Sequence, residues 1–305
     1  MTPKDLSCKL LCASASAYCI QTTDKSGQYN PCKKNPSVTP SMLKQYRAVG
    51  YIEDPFVVTS SQIEACLIGK TKSEIIVAFR GTLPPAWTWD SLFDWIQNIF
   101  LAEPKAYDYI PGKVHSGFHF ALMSLADDVV QAIHNLDPSH SLPLYITGHS
   151  KGGGMASIAA MLFRNKYNLK VEQTITIAGP KPGDIDFSKV YETTFNNDIN
   201  YENYLDIVPF LAPSDFFIDL LKLIPGLPQN FRKLLDKASE WNYENVGQVK
   251  YINEKGQLAP PPSNFDRVKV IAETLPFHPS KIGDAHHISC GYRYMKGICQ
   301  GEVCG

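Results

Sequence analysis

The sequence predicts an α/β fold, a mostly parallel central sheet flanked by helices, on two observations. Three short runs rich in β-branched and apolar residues, Glu74–Thr82 (EIIVAFRGT), Leu144–Thr147 (LYIT) and Glu172–Pro180 (EQTITIAGP), read as buried strands ending in turns. Between them lie segments of helical composition, HFALMSLADDVVQAIHNL and the Ala-, Met- and Leu-rich run that starts at Met155. Strands that alternate with helices pair in parallel, and such sheets bind ligands outside the carboxyl ends of their strands. Thr82, Ser150 and the turn at Gly179 lie at those ends, so a cleft is expected there.

The central junction, LYITGHSKGGGMASIAAML (Leu144–Leu162), is the most informative stretch. Ser150 stands between Gly148 and Gly152 in a G-x-S-x-G pattern, where strand gives way to helix through a corner too tight for side chains on either side. A serine on such a corner is aimed into the cleft as a nucleophile. The backbone N–H groups that follow, beginning with Lys151, belong to a helix N-terminus and suit a developing oxyanion.

Composition sets broad limits on function. The 305 residues are 44% hydrophobic and 11% aromatic, enough for a packed core in a single domain spanning 1–305, and there is no internal repeat. With 29 basic against 30 acidic residues the net charge is -1, which provides no electrostatic footprint for nucleic acid or an anionic membrane surface. No apolar run reaches the roughly 18 to 20 residues of a transmembrane helix. The N-terminal SCKLLCASASAYCIQ is interrupted by Lys9 and does not read as a signal peptide. Cys8, Cys12, Cys19, Cys32, Cys66, Cys290, Cys299 and Cys304 gather toward the two ends, as expected of disulfides that tie down termini in a secreted or exported protein. Reduced thiols in a cytoplasmic enzyme are the alternative, and the connectivity stays open. Zinc is not expected, because no C-x-x-C or histidine pair completes a four-ligand set.

A nucleophilic serine needs a base and an acid that orients it. Asp206, where the aromatic-rich NYENYLDIVPFLAP ends as a strand, is the expected acid; Asp184 and Asp186 fit better as turn and cap residues. Of the eight histidines only His278, His286 and His287 follow Asp206, and the adjacent His286 and His287 cannot share one orientation. From the residues alone the base is one of these.

Together these blocks resemble the class 3 (fungal-lipase-like) lipase family of the α/β-hydrolase fold over roughly Ile75 to Tyr292. The resemblance rests on VAFRGT, on DWIQNIFLAEPKAY followed by VHSGFHFAL, and on TGHSKGGGMA, TIAGPKPGD and NYLDIVPFLAP. It implies Ser150 as nucleophile, Asp206 as acid, and Thr82 with the Lys151 backbone N–H as the oxyanion hole. His287, followed by Ile288, matches the family's base better than His286. Lys151 departs from the apolar residue often found at its position, and Cys290 from an aromatic one. The implied chemistry is two-step acyl transfer without metal or organic cofactor. The expected activity is that of a lipase or carboxylesterase on acyl esters of lipids. Phospholipase A and feruloyl-type esterase activities use the same machinery, and a lipid- or protein-binding module without catalysis is the non-enzyme alternative.

Lid and cap helices are expected over the cleft. In TWDSLFDWIQNIF, Trp89, Leu92, Phe93, Ile96 and Phe100 fall on one helical face, and the resemblance puts the lid here, at 84–101, in transient contact with a lipid interface. A helical insertion is expected at about 213–253, with a second apolar stripe of Phe231, Leu234, Leu235, Ala238 and Trp241.

Overall fold

The computed structural model describes residues 5–20, 46–60, 64–82, 102–212, 218, 219, 222, 229–238, 240–275, 277–289 and 291–300. In chain order the elements are α1 (Leu6–Ala17), β1 (Phe56–Thr59), β2 (Ala65–Lys70), β3 (Ile75–Phe79), β4 (Pro104–Tyr107), β5 (Ile110–His115), α2 (Ser116–Met123) and α3 (Ala126–Leu136). There follow β6 (Leu144–His149), α4 (Lys151–Tyr167), β7 (Val171–Ile177), β8 (Gly183–Asp184), α5 (Ile185–Thr194) and β9 (Ile199–Asn203). The chain ends with α6 (Gln229–Ala238), β10 (Tyr243–Glu244), β11 (Gln248–Ile252), β12 (Leu258–Ala259), α7 (Asn264–Thr274), α8 (Pro279–His286) and α9 (Arg293–Cys299).

Among the described residues the main sheet runs β1-β2-β3-β6-β7-β9-β11-β12. The pairings from β3 through β6, β7 and β9 to β11 are parallel, and the edges β1-β2-β3 and β11-β12 are antiparallel. This is the expected mostly parallel sheet, and its central strands read as unbroken apolar runs because both faces are covered. Every residue of β3 is buried. Ile75, Val77 and Phe79 face the larger core beneath α2 to α4, while Ile76 and Ala78 face a second core capped by α1 and α9. A small antiparallel sheet, β10-β8-β5-β4, stands apart.

The stretch at 213–253 is less helical than expected. Its helix α6 is present, and Leu235, Ala238 and the following Trp241 are buried in the larger core. Residues 243–252, however, supply β10 and β11, the latter extending the central sheet alongside β9. Tyr251 and Ile252 are buried there while Gln248, Val249 and Lys250 are exposed, so strand pairing decides the conformation of a short segment with little helical patterning. The lid expected at 84–101, with Trp89, Leu92, Phe93 and Ile96, lies outside the described residues, as do the side chains of Phe231 and Leu234 and residue Cys290.

Helix α1 starts with Asp5 accepting the Cys8 N–H, and its small residues let it lie flat on the sheet. Ser14 Oγ meets Thr147 Oγ1 at 2.9 Å, and the Tyr201 hydroxyl donates to Ser7 Oγ at 3.0 Å. A disulfide joins Cys8 of α1 to Cys299 of α9 across 291 residues of sequence, in keeping with the expected link between the N-terminal region and the C-terminal tail. Cys12 is also disulfide-bonded, so the nearby sulfurs of Cys8, Cys12 and Cys299 are not thiolates available to a metal.

The turn from β6 to α4 sets the geometry of the strand ends. Ser150 has φ 59° and ψ -133°, a conformation that non-glycine residues rarely adopt. It brings strand and helix so close that a Cβ on Gly148 would sit 2.1 Å from the Gly152 carbonyl oxygen. One on Gly152 would sit 2.2 Å from the Phe79 carbonyl oxygen in β3. Gly152→Ala therefore pushes α4 off β3 against rigid backbone. The variant is expected to lose about 1–3 kcal/mol of stability in urea titrations, the usual cost of overpacking. Opening the long covalent loop by Cys299→Ser is expected to cost about 2–4 kcal/mol. Calorimetry of the oxidised protein should show a midpoint several degrees below wild type, and reductant should lower the wild-type midpoint toward the variant's.

Candidate active site

Ser150 is fully buried at the corner, and its Oγ makes no hydrogen bond among the described residues. Its backbone is fixed from both sides, with Ser150 N–H donating to the Ile177 carbonyl at 3.0 Å and its own carbonyl accepting from Gly153 at 2.8 Å. Lys151 is the first residue of α4, so its amide points out of the helix without an intrahelical partner. The Lys151 ammonium reaches away to Glu64 in an ion pair that is largely shielded from solvent. Thr82 is half-buried just past β3. Its neighbour Gly81 runs so close to the corner that a Cβ there would lie 2.5 Å from the His149 carbonyl oxygen and 3.0 Å from Ser150 Cβ. Thr82, Ser150 and the Lys151 amide thus share one end of the sheet.

Asp206 follows β9 and is fully buried. Its Oδ1 accepts the Val208 N–H at 3.0 Å, an Asx turn that leads into the single helical turn Val208–Phe210, where Pro209 needs no hydrogen-bond donor. Its Oδ2 accepts the Tyr294 hydroxyl at 2.7 Å. The imidazole of His286 completes the set, with Nδ1 at 3.0 Å from Oδ2 and 3.1 Å from Oδ1. A carboxylate only accepts, so Nδ1 carries a proton, and in the neutral form of the ring the lone pair is on Nε2. Behind Asp206 lies a buried ion pair, Glu202 with Arg267, whose guanidinium stacks over Phe210 and Tyr251 at 4.6 and 5.0 Å. Burial pushes the Glu202 carboxyl up, while Arg267 pulls it down.

The structure brings a different histidine to Asp206 from the one expected as base. His286, not His287, meets Asp206, because His286 closes α8 one turn after buried Ile282 on the inward face of that helix. His287 has left the helix for extended backbone (φ -75°, ψ 138°), which turns its side chain the other way. There it stacks on Tyr292 with ring centres 4.4 Å apart, half-buried, and its Nδ1 has no hydrogen bond among the described residues. Burial, and then the neighbouring His286, hold its pKa below the usual imidazole range. His278 is exposed at the start of α8. Asp184 caps α5 by accepting the Phe187 N–H at 2.9 Å, and Asp186 lies exposed in the first turn of that helix, as expected of turn and cap residues.

Three side chains of the site went unread in the sequence. His149, at the end of β6, lies with its ring centre 4.4 Å from that of His286, and its Nε2 is 2.8 Å from the His286 carbonyl oxygen. Its Nδ1 is 2.7 Å from the hydroxyl of Tyr18, just past α1. Tyr294 comes from α9. Only His149 carried a signal, as the buried polar end of an apolar strand beside Ser150; Tyr18 and Tyr294 lie too far away in sequence for spacing to connect them to it.

Residues 76–216 match the family described as lipase (class 3). Among curated proteins, the chain is 29% identical over 155 residues to a lipase of Rhizomucor miehei, covering 48% of this chain and 40% of the relative. It is 26% identical over 179 residues to phospholipase A1-II 3 of Oryza sativa subsp. japonica, covering 49% and 41%. The chain thus spans about two fifths of the length of these relatives. In fold it is similar to M37 lipase, with a TM-score of 0.58 at 18% identity over 92% of both chains. It is also similar to Rhizomucor miehei lipase in its propeptide complex, with a TM-score of 0.55 at 19% identity over 82% of this chain and 66% of that one. The family match falls on the β3-to-Asp206 segment that builds the sheet end and its serine corner, so residues 76–216 belong to the class 3 lipase family, and the chain has the α/β-hydrolase fold.

Proposed function

We propose that the protein is a serine ester hydrolase that cleaves acyl esters of lipids through an acyl-enzyme on Ser150, with His286 as general base and Asp206 as the orienting acid. The observation that carries this reading is the pairing of Asp206 with His286 Nδ1 beside a buried serine held in a strained corner. In that tautomer Nε2 takes the Ser150 proton as Oγ attacks the ester carbonyl. The resulting oxyanion forms where the Lys151 amide and Thr82 can receive it, and the leaving alcohol takes the proton back from His286. Water, deprotonated by the same imidazole, then releases the acid and restores Ser150. The hydrogen bond between serine and imidazole forms as substrate settles, since such contacts are often long or absent in the free enzyme.

Triacylglycerol-type lipids are the first substrate class, supported by the similarity to a lipase of Rhizomucor miehei and to a solved structure described as the triacylglyceride lipase of that organism. Phospholipids acted on in the manner of phospholipase A1 are the second, supported by the rice relative. Hydrolysis rates on emulsified triacylglycerol and on phosphatidylcholine vesicles distinguish the two. The Cys8–Cys299 disulfide supports an exported location, where oxidised cysteines persist. No helix among the described residues is long and apolar enough to cross a membrane. Contact with the lipid surface is assigned to the segment 84–101, whose apolar stripe would be exposed when the cleft opens.

Ser150→Ala and His286→Ala are each expected to lower kcat on a soluble p-nitrophenyl ester by at least about 10³-fold with circular dichroism unchanged, because the members of such a triad act as a unit. His287→Ala should stay within about threefold of wild type. A fluorophosphonate probe should label Ser150 stoichiometrically; a folded protein that resists labelling is a binding module instead. If 84–101 is a lid, activity on a long-chain ester should rise sharply above the solubility limit. Trp89→Ser with Phe93→Ser should flatten that rise and spare the soluble ester, whereas hyperbolic kinetics through the limit in both proteins would remove the lid from the proposal.

A further inference from the structure

The described contacts give Ser150 and the Asp206–His286 pair no direct bond to each other, so something else must hold their relative positions. Two groups on no part of the proposed reaction path lie between them. His149 immediately precedes Ser150, is buried, and touches the backbone of His286 rather than its ring nitrogens. The direction of each bond follows from chemistry. A carbonyl oxygen only accepts, so His149 Nε2–H donates to the His286 carbonyl at 2.8 Å. Burial, and then the nearby His286, keep the His149 imidazole well below its usual pKa and therefore neutral, which leaves Nδ1 as an acceptor. The hydroxyl at 2.7 Å from that Nδ1 must then be the donor, so Tyr18 fixes the tautomer. Tyr18 in turn stands with its hydroxyl oxygen packed against Gly81, at the strand end that carries Thr82. A Cβ on Gly81 would come within 2.3 Å of that oxygen. The adjoining Arg80 donates from Nη1 to the Ile20 carbonyl at 2.8 Å, a second tie between the same two segments.

We propose that Tyr18 and His149 are positioning residues for the hydrolytic reaction, forming a directed hydrogen-bond chain from Tyr18, packed against Gly81, through His149 to the backbone of His286. The chain touches the residue before Thr82, the residue before Ser150 and the residue proposed as base, so it registers the oxyanion strand, the serine corner and the end of α8 against one another. The His286 carbonyl is among the last of α8, and those have no partner within the helix. Without the His149 donor, the helix end that carries the imidazole loses its tie to the corner that carries the serine. Displacement of reacting groups by about 1 Å costs rate on the order of 10²-fold, while substrate binding need not change.

The inference rests on the proposed roles of Ser150 and His286, and its test keeps the two apart. The variants are Tyr18→Phe, His149→Phe, His149→Gln and His286→Ala, assayed for kcat and KM on a soluble short-chain p-nitrophenyl ester and for thermal midpoint. Tyr18→Phe removes one oxygen and His149→Phe the donor, so both are expected to lower kcat about 10- to 100-fold with KM within about twofold. His149→Gln, whose amide N–H can replace Nε2–H, should recover most of the loss. The Tyr18→Phe comparison stands even if His149→Phe fails to fold. If His286→Ala is inactive while Tyr18→Phe, and His149→Phe where it folds, keep kcat within about twofold of wild type, the positioning chain is rejected and the reaction scheme survives. A fall in kcat that parallels loss of fold, without recovery in His149→Gln, also rejects the chain. If His286→Ala remains active, the reaction scheme itself is wrong.

Discussion

The close approach of Gly152 to the Phe79 carbonyl is the constraint on which the rest of the structure depends. Helix α4 can lie that near β3 only because no side chain intervenes, and the nearness forces the chain to turn within one residue. Ser150 bears the consequence as a positive φ. A residue in that state costs about 1–3 kcal/mol and persists only where its surroundings overdetermine it. Here the surroundings are the hydrogen bonds of Ser150 with Ile177 and Gly153, together with neighbouring strands that are buried beside it, β3 throughout and β7 from Thr174 to Ile177. The strain raises the serine to the end of the sheet, beside the Lys151 amide that opens α4 without an intrahelical partner.

The same geometry explains why the chain ends matter to a site built in the middle. Tyr18 follows α1 and Tyr294 belongs to α9, and both helices cover the sheet face opposite α4. The Cys8–Cys299 disulfide joins these helices to each other. Tyr294 reaches the acid and Tyr18 reaches the histidine beside the serine, so one covalently closed layer supplies a hydroxyl to each half of the site. A change that loosens this layer therefore acts on the site without touching Ser150, His286 or Asp206.

Periodicity and motif made the centre of the molecule legible. The expected strands are β3, β6 and β7, and the expected corner is at Ser150, because a fully covered parallel strand and a glycine-flanked turn each leave a local signature. The histidine was not legible in the same way. His286 and His287 differ only in which side of a helix end they leave from, and that is set by the point at which α8 stops. Element ends are the feature that sequence patterns define least, since one residue more or less of helix costs little. Strand β11 was missed for a related reason: QVKYI is a short segment whose conformation comes from pairing with β9. Contacts such as Tyr18 with His149 join residues 131 apart in sequence, and no spacing rule reaches that far.

Placing Asp206 in a dry interior would be costly if its charge stood alone. Three donors meet it, the Val208 amide, the Tyr294 hydroxyl and the His286 imidazole, so each oxygen is bonded and the carboxylate cannot turn. Glu202 adds a second buried negative charge nearby, and Arg267 offsets it from α7 while its aromatic sandwich prevents it from swinging toward Asp206. The arrangement keeps the two carboxylates with separate cations: Glu202 has a permanent one, and Asp206 acquires one only when His286 takes a proton. An acid with a permanent cation would have less to gain from that proton transfer. Withholding Arg267 from Asp206 leaves the attraction available for the charged imidazolium, the state in which the proposed reaction needs it.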